Sequence, residues 1–137
     1  MRVTKKKIIL IFLILLIFTG IFVGIPLLLG NKHPRPHPKS AAWNNLKILR
    51  SLEEEYYALK GRYAPDPDGT VYYKEDNTGI QNVLPHFKPG RPNELSFEYE
   101  LTSSSKGTRF VAIAMGKIGS KVAEERYYIN ETNEKNW

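Results

Sequence analysis

The side chains of this sequence that could do chemistry are few and widely spaced. The chain of 137 residues has no cysteine and only three histidines. This excludes a disulfide framework, a thiolate metal site and a cysteine nucleophile. His33 and His37 are four residues apart, a spacing that brings two metal ligands together only on a helix. They lie in the stretch NKHPRPHPKS, residues 31–40, where alternating prolines disfavour a helix and no third ligand is near. We expect a solvated linker.

The acidic residues do not form a convincing site either. Glu53, Glu54 and Glu55 are consecutive, and consecutive residues splay around a helix, so we expect a solvated flank. Asp66 and Asp68 in PDPDG resemble the start of a calcium loop. The other spaced oxygen ligands and the closing glutamate are missing, which favours a turn. The third histidine, His86, has no evident catalytic partner. We predict no catalytic, cofactor-binding or metal-binding residue, no cofactor and no enzymatic activity.

The net charge of +6 is concentrated at one end of the chain. Seven of the 20 basic residues precede position 40, and no acid lies there. The remainder has 20 − 7 = 13 basic residues against 14 acidic ones. A basic end on a balanced body is typical of membrane topology and not of a nucleic-acid-binding face. We therefore predict no nucleic-acid partner.

Residues 8–29, IILIFLILLIFTGIFVGIPLLL, form an uninterrupted apolar run. Twenty-two helical residues extend about 33 Å, enough to cross a hydrocarbon core of about 30 Å. Eighteen of them are Ile, Leu, Phe or Val, which favours insertion by on the order of 7 kcal/mol. A cleaved signal peptide has a shorter apolar core and a small-x-small cleavage site. The run therefore predicts an uncleaved transmembrane helix with the lipid bilayer as its partner.

The flanks of this run predict its orientation. Residues 1–7 form a short basic tail that stays in the cytoplasm, and the long C-terminal part is exported. Residues 30–40 are basic and rich in proline, and this composition predicts an extended spacer that lifts a domain roughly 20–30 Å from the bilayer. Residues 41–137 form the exported domain.

The exported domain begins with an amphipathic helix. We predict it from Ala41 to Lys60, with Ser40 as the N-cap and Gly61 as the stop. Spacings of three and four predict one apolar face for packing on a core. Its members are Trp43, Leu46, Leu49, Leu52, Tyr56 and Leu59.

The sequence of the rest of the domain predicts turns followed by strands. Residues 64–94 carry five prolines and three glycines and read as loop, with VLPHF at 83–87 a short helical turn or an extended piece. Three strands follow, at 95–102, 108–116 and 125–131, and the second is expected to be more fully buried than the first. Short connections favour an antiparallel meander, and helix 41–60 must cover its apolar face. The fold class is α+β, with a helix on a three- to four-stranded antiparallel sheet.

This order of elements resembles the type IV pilin and type II secretion pseudopilin superfamily. The resemblance rests on a membrane helix, a helix ending EEEYYALKGRYAPD, a proline-rich loop, then FEYELT, RFVAIAMGKIG and RYYINETNE, and it covers most of residues 41–133. The resemblance implies a pilin-like fold and a bacterial inner membrane location, with the C-terminal domain periplasmic or extracellular.

Two departures from the family pattern affect the expected function. The region KKKIILIF has no glycine for prepilin peptidase, and the apolar run has no glutamate; if Pro26 matches the family's proline, Ile9 holds the glutamate position. We therefore expect a pilin-like domain on an uncleaved anchor. It would act by protein–protein interaction, self-association or assembly, in the setting of a pilus or secretion apparatus or as a stand-alone relative. The alternatives are a true minor pilin in a filament and a small anchored enzyme or sensor domain.

Overall fold

The structure is a computed structural model that describes residues 37–137. The predicted cytoplasmic tail (1–7), the transmembrane helix (8–29) and most of the linker, including His33, lie outside the described residues. Within residues 37–137 no helix has the length and apolar character needed to cross a bilayer. The described residues contain two α-helices, one 3₁₀ turn and four strands.

The long helix α1 spans Pro38–Lys60 and begins earlier than expected. Ser40 is not its N-cap. His37 takes that position, and its Nδ1 accepts a hydrogen bond from the Lys39 N–H at 3.4 Å. Pro38 fits the first turn because the N–H that proline lacks has no intrahelical acceptor there. The linker predicted for residues 30–40 therefore ends before Pro38. The stop at Gly61 is confirmed: its φ is 71°, and its N–H donates to the Tyr57 carbonyl at 2.8 Å.

The apolar face of α1 is confirmed except at its last member. Ala42, Leu46 and Leu49 are fully buried, and Trp43, Leu52 and Tyr56 pack partly against the core. Leu59 is 76% exposed, so its prediction as a core residue was wrong. At 100° per residue it lies about 80° round the helix from Leu49, on the side away from Ala42 and Leu46.

Four strands form an antiparallel sheet in the order β1-β2-β3-β4, which confirms the meander. They are β1 (Gly69–Tyr73), β2 (Phe97–Ser104), β3 (Arg109–Gly116) and β4 (Arg126–Asn130). The strand β1 lies in the segment that was predicted to be loop. Its five residues pair with β2, from Gly69 opposite Ser103 to Tyr73 opposite Tyr99.

The segment between β1 and β2 contributes a second, short helix. This helix, α2, spans Gly79–Val83, and a 3₁₀ turn at Pro92–Glu94 precedes β2. VLPHF therefore starts at the end of a helix and continues as a turn, in which Leu84 and Phe87 are buried. The Phe87 ring meets Tyr73 and Tyr99 edge-on, at centroid distances of 5.5 Å each. This contact closes the β1 end of the core.

The helices lie on one side of the sheet, which we call the inner face. Helix α1 packs against β3 and β4, and α2 against β1. Phe110, Ala112 and Ala114 on β3 are fully buried, and the two alanines let the helix approach closely. Gly116 at the end of β3 lets the β3–β4 connection approach closely, because a Cβ there would lie 1.6 Å from the Val122 carbonyl oxygen.

Candidate functional site

The residues first considered as metal ligands have structural roles where the structure describes them, and His33 lies outside the described residues. Within residues 37–137 no group of three or more His, Asp or Glu side chains is placed to hold a metal ion. His37 caps α1. Asp66 and Asp68 each bind Arg62, at 2.8 Å from its Nη1 and Nη2, and Asp68 also accepts the Lys106 N–H at 2.6 Å. PDPDG is a turn that ties the end of α1 to the β2–β3 connection.

Glu53 overturns the expectation of a solvated flank. Its side chain is fully buried, whereas Glu54 and Glu55 are exposed. One oxygen, Oε2, accepts the Ala64 N–H at 2.8 Å, and Oε1 has no hydrogen-bond partner among residues 37–137. Burial raises the pKa of Glu53 to about 8; the hydrogen bond from Ala64 opposes this rise, and the neighbouring Glu54 adds to it. Glu53 is therefore protonated at neutral pH and holds the loop after α1 in place.

A polar contact fixes the start of α1 against the β3–β4 connection. Lys39 forms an ion pair with Glu125, which also accepts a hydrogen bond from the Tyr127 hydroxyl at 2.7 Å. The hydrogen bond between Lys39 and Glu125 raises the pKa of Lys39 and lowers that of Glu125. Beside this pair Trp43 stacks on Trp137, with a centroid distance of 6.4 Å. These side chains are used in holding the domain together.

A shallow groove lies between the second half of α1 and the residues after α2. It has a volume of about 160 Å³ and is bordered by Leu52, Tyr56, Leu59, Val83 and His86, among others. His86 is exposed at its rim, and Glu55 is the acidic residue that borders the same groove. The groove is open, and apart from Glu55 and His86 its lining is mostly apolar.

The most distinctive surface is the side of the sheet that faces away from both helices. We call it the open face, and it consists of the outward side chains of the four strands. Its centre is an apolar stripe on β3, formed by Val111, Ile113 and Met115. Val111 is 37% exposed, and the other two are half-buried. The prediction that β3 is more fully buried than β2 was therefore wrong for one of its two faces.

The strand register arranges the open face in rows across the sheet. Met115 lies between Glu98 on β2 and Arg126 on β4. Ile113 lies between Glu100 and Tyr128, and Val111 lies between Thr102 and Asn130. The stripe therefore has acidic residues on one side and a basic residue on the other.

The charges beside the stripe are not used within the domain. Among residues 37–137, Glu98, Glu100 and Arg126 form no ion pair and no side-chain hydrogen bond. At one end of the face, Glu98 and Met115 also border an open depression of about 440 Å³, where Ile118 is fully exposed. An apolar patch that is rimmed by polar and charged residues is a candidate contact surface for another macromolecule.

The edge of the sheet at β4 is closed by the end of the chain. The Asn136 side chain accepts the Tyr128 N–H and donates to the Arg126 carbonyl, both at 2.9 Å. The Asn130 N–H donates to the Glu134 carbonyl at 3.2 Å. The tail thus occupies hydrogen-bonding groups that an edge strand otherwise offers to another chain. This favours the open face over the β4 edge as a contact surface.

Sequence reasoning missed the open face, although a partial signal was present. Glu98 and Glu100 alternate with apolar residues in LSFEYELT, and this alternation corresponds to the two faces of β2 in the structure. TRFVAIAMG, in contrast, is apolar at nearly every position, a pattern shared by a strand buried on both sides and a strand with one apolar side exposed. Only the positions of the helices distinguish the two.

Comparisons with protein-family models, with curated proteins and with solved structures find no match for this chain. The class that the described residues define is an α+β domain with helices on one face of a four-stranded antiparallel meander. Its candidate functional site is the open face.

Proposed function

We propose that this protein is a single-pass, membrane-anchored, non-enzymatic protein whose pilin-like C-terminal domain acts in protein–protein interaction or assembly. The domain docks through its open face. We place the anchor in a bacterial inner membrane, with the N-terminus in the cytoplasm and the domain in the periplasm or outside the cell. The expected setting is a type IV pilus or type II secretion apparatus, or a stand-alone relative of their components.

The apolar run supports the anchored part of the proposal. Residues 8–29 are long enough to span a bilayer, and they separate a basic tail from a nearly neutral domain. The described domain begins at His37, eight residues after the run ends, since 37 − 29 = 8. An anchor this close confines the domain to the neighbourhood of the membrane surface and raises its local concentration.

The order of elements supports the pilin-like part. A long helix that ends at Gly61 is followed by a proline-rich segment and an antiparallel meander, and the helix covers the inner face of that meander. The resemblance in sequence covers the same elements in the same order. The resemblance to the pilin and pseudopilin superfamily in turn suggests that this protein acts in assembly.

The observation that carries the docking role is the apolar stripe on β3 between charges that are not used in the domain. The exposed Val111 and the half-buried Ile113 and Met115 gain by leaving water, on the order of 25 cal/mol per Å² of apolar surface buried. The non-enzymatic part is supported by the use of the reactive side chains in structural contacts. Asp66 and Asp68 bind Arg62, and Glu53 holds the Ala64 N–H.

Fractionation and mass measurement of the native full-length chain test this proposal. We expect the chain in the membrane fraction after alkaline carbonate washing, with the mass of the unprocessed sequence. Protease added to cells with a permeable outer layer should digest residues beyond the linker. A shortened N-terminus would instead favour the minor-pilin alternative, and a chain that is released by the wash, or protected from the protease, contradicts the proposal.

A further inference from the structure

We propose that the partner on the open face is a second copy of this chain, related to the first by a two-fold axis parallel to β3. This inference rests on the proposed function and names the partner of the same surface. It follows from the order of charges in one row of the sheet.

The row at Met115 has opposite charges at its two ends. Met115 on β3 is in register with Glu98 on β2 and with Arg126 on β4. The three residues thus form a row perpendicular to the strands. The acid and the base stand about 4.8 Å from β3 on opposite sides of it, because that is the distance between neighbouring strands.

A two-fold axis parallel to β3, placed between two facing sheets, matches each acid with a base. The rotation carries β2 of one copy over β4 of the other, at the same height along the strands. Glu98 of each copy then faces Arg126 of the other, which gives two equivalent charge pairs. The long Glu and Arg side chains reach across the roughly 10 Å that separate packed sheets.

The same rotation matches the apolar stripe and the next row of the face. Of the residues that the structure describes, Arg109, on β3 beyond Val111, is the one charge that it brings towards its own counterpart, and Arg109 already pairs with Glu131 of its own domain. The β3 stripe lies along the axis, so Val111, Ile113 and Met115 meet their own counterparts and leave water together. In the next row Glu100 faces Tyr128 of the other copy, whose phenol is a suitable hydrogen-bond donor to a carboxylate. One rotation therefore buries the apolar stripe and places complementary side chains opposite each other in the rows at Met115 and Ile113.

The alternative two-fold axis, perpendicular to the strands, is disfavoured by charge. That rotation places β2 over β2, so Glu98 and Glu100 would approach the same acidic residues of the second copy. Like charges at such close range oppose association. The arrangement of charges thus selects the axis parallel to β3.

The size of the face explains why pairing needs the membrane anchor. Four strands of five to eight residues give a face roughly 20 Å wide and roughly 17–27 Å long, or on the order of 300–500 Å². This is well below the roughly 800 Å² per partner of a standard stable interface. Tethering both copies to one bilayer raises their effective concentration and compensates for a small contact area. We expect dimers in membranes that dissociate in dilute detergent.

Site-specific cross-linking of the full-length chain in membrane vesicles tests the axis. The chain has no cysteine, so each introduced cysteine is the only thiol. A short bismaleimide should link two copies of the Ile113→Cys variant, because this residue lies on the axis. The matched control is Leu59→Cys, which is well exposed on α1 and away from the open face. We expect about tenfold less linked dimer for the control, the factor that corresponds to about 1.4 kcal/mol.

Charge reversal in the Ile113→Cys background tests the pairing. Glu98→Arg alone, or Arg126→Glu alone, creates two like-charge pairs and should reduce the linked dimer about tenfold or more. The double variant Glu98→Arg/Arg126→Glu restores opposite charges and should recover most of the dimer, which also shows that the variants fold. Glu55→Arg, an exposed reversal on α1, serves as the control and should change nothing.

Three results overturn the inference. They are a failure of the double variant to recover the dimer, equal linking of the Leu59→Cys control, and linking of the Ile113→Cys variant to a different protein in place of itself. The amount of chain in the membrane pellet is measured in the same samples. Loss from the pellet is a failure of the proposed anchor, whereas a pelleted chain that does not link is a failure of the self-pairing alone.

Discussion

The two faces of the sheet are built from the same strands, yet their chemistry differs. The inner face carries aromatic side chains and two alanines beneath α1, and nearly all of them are buried. The open face carries an aliphatic stripe with charges beside it that no residue of the described domain pairs with. Alternation along a strand assigns residues to opposite faces, but only the helices determine which face becomes the core. The comparison indicates that the inner face provides stability and the open face provides contact.

The largest effect on stability is expected when the same substitution, isoleucine to alanine, is made on the inner face and compared with the open face. Ile129 on β4 is 1% exposed on the inner face, and Ile113 on the neighbouring strand lies on the open face. Ile129→Ala should lower the free energy of unfolding by about 2–5 kcal/mol, because it leaves a cavity in the core. Ile113→Ala should lower it by about 1 kcal/mol or less.

Urea unfolding of the full-length chain in detergent, followed through its two tryptophans, measures both changes. Equal losses for the two variants would show that the open face is as tightly packed as the inner one, and would remove the distinction between them.

The next largest effect is expected from the buried carboxyl group of Glu53 on α1. The pKa of Glu53 is about 8 when folded and has its ordinary value of 4.5 when unfolded. Between these values the folded state keeps a proton that the unfolded state has lost, so stability falls as pH rises. The slope is about 1.4 kcal/mol per pH unit for a fully shifted group.

Glu53→Gln removes this titration and keeps an acceptor for the Ala64 N–H. The variant should therefore lose less stability between pH 5 and pH 8 than the natural chain, with a difference on the order of 2–4 kcal/mol at pH 8. Glu54→Gln is the matched control, since Glu54 is exposed next to it. Unfolding curves at both pH values decide the point, and parallel pH profiles for the natural chain and Glu53→Gln would contradict the assignment.

The elements with a clear periodic pattern were predictable from the sequence. Helix α1 follows from spacings of three and four, and β2 follows from the alternation of apolar and polar residues between Leu95 and Thr102, although the strand itself extends to Ser104. The strand β1 was not predictable, because GTVYY is short, lies among prolines and glycines, and becomes a strand through its pairing with β2. The sequence pattern identifies a helix or strand when local periodicity determines that element. It fails when pairing with a strand that is distant in the sequence determines the element.

The surprises at single residues have the same cause. Three consecutive glutamates indicate a solvated surface, and two of them are exposed. Glu53 is buried because the chain turns at Gly61 and returns to bring the Ala64 N–H to it. Similarly, the candidate docking stripe on β3 is visible only after both helices are known to lie on the other face. Neither fact can be read from neighbouring residues in the sequence.

The smallest expected effect concerns the closed edge beside the open face. Asn136→Ala removes the side chain that bonds to both the Tyr128 N–H and the Arg126 carbonyl. We expect a loss of about 1 kcal/mol in the free energy of unfolding and faster amide hydrogen exchange at Tyr128. Gln81→Ala makes a useful comparison because its amide bonds to the Phe87 carbonyl, away from β4, and should leave Tyr128 exchange unchanged. Unchanged exchange at Tyr128 in Asn136→Ala would mean that the tail does not protect the edge.

The most direct test of the central claim is thiol labelling on two surfaces of the full-length chain, in membrane vesicles and in dilute detergent. A cysteine introduced at position 113 reports the open face, and one at position 59 reports exposed α1. If the open face is a contact surface at the membrane, labelling at position 113 is several-fold slower in vesicles than in detergent, while labelling at position 59 changes little. Equal changes at both positions, or none at position 113, would contradict the account.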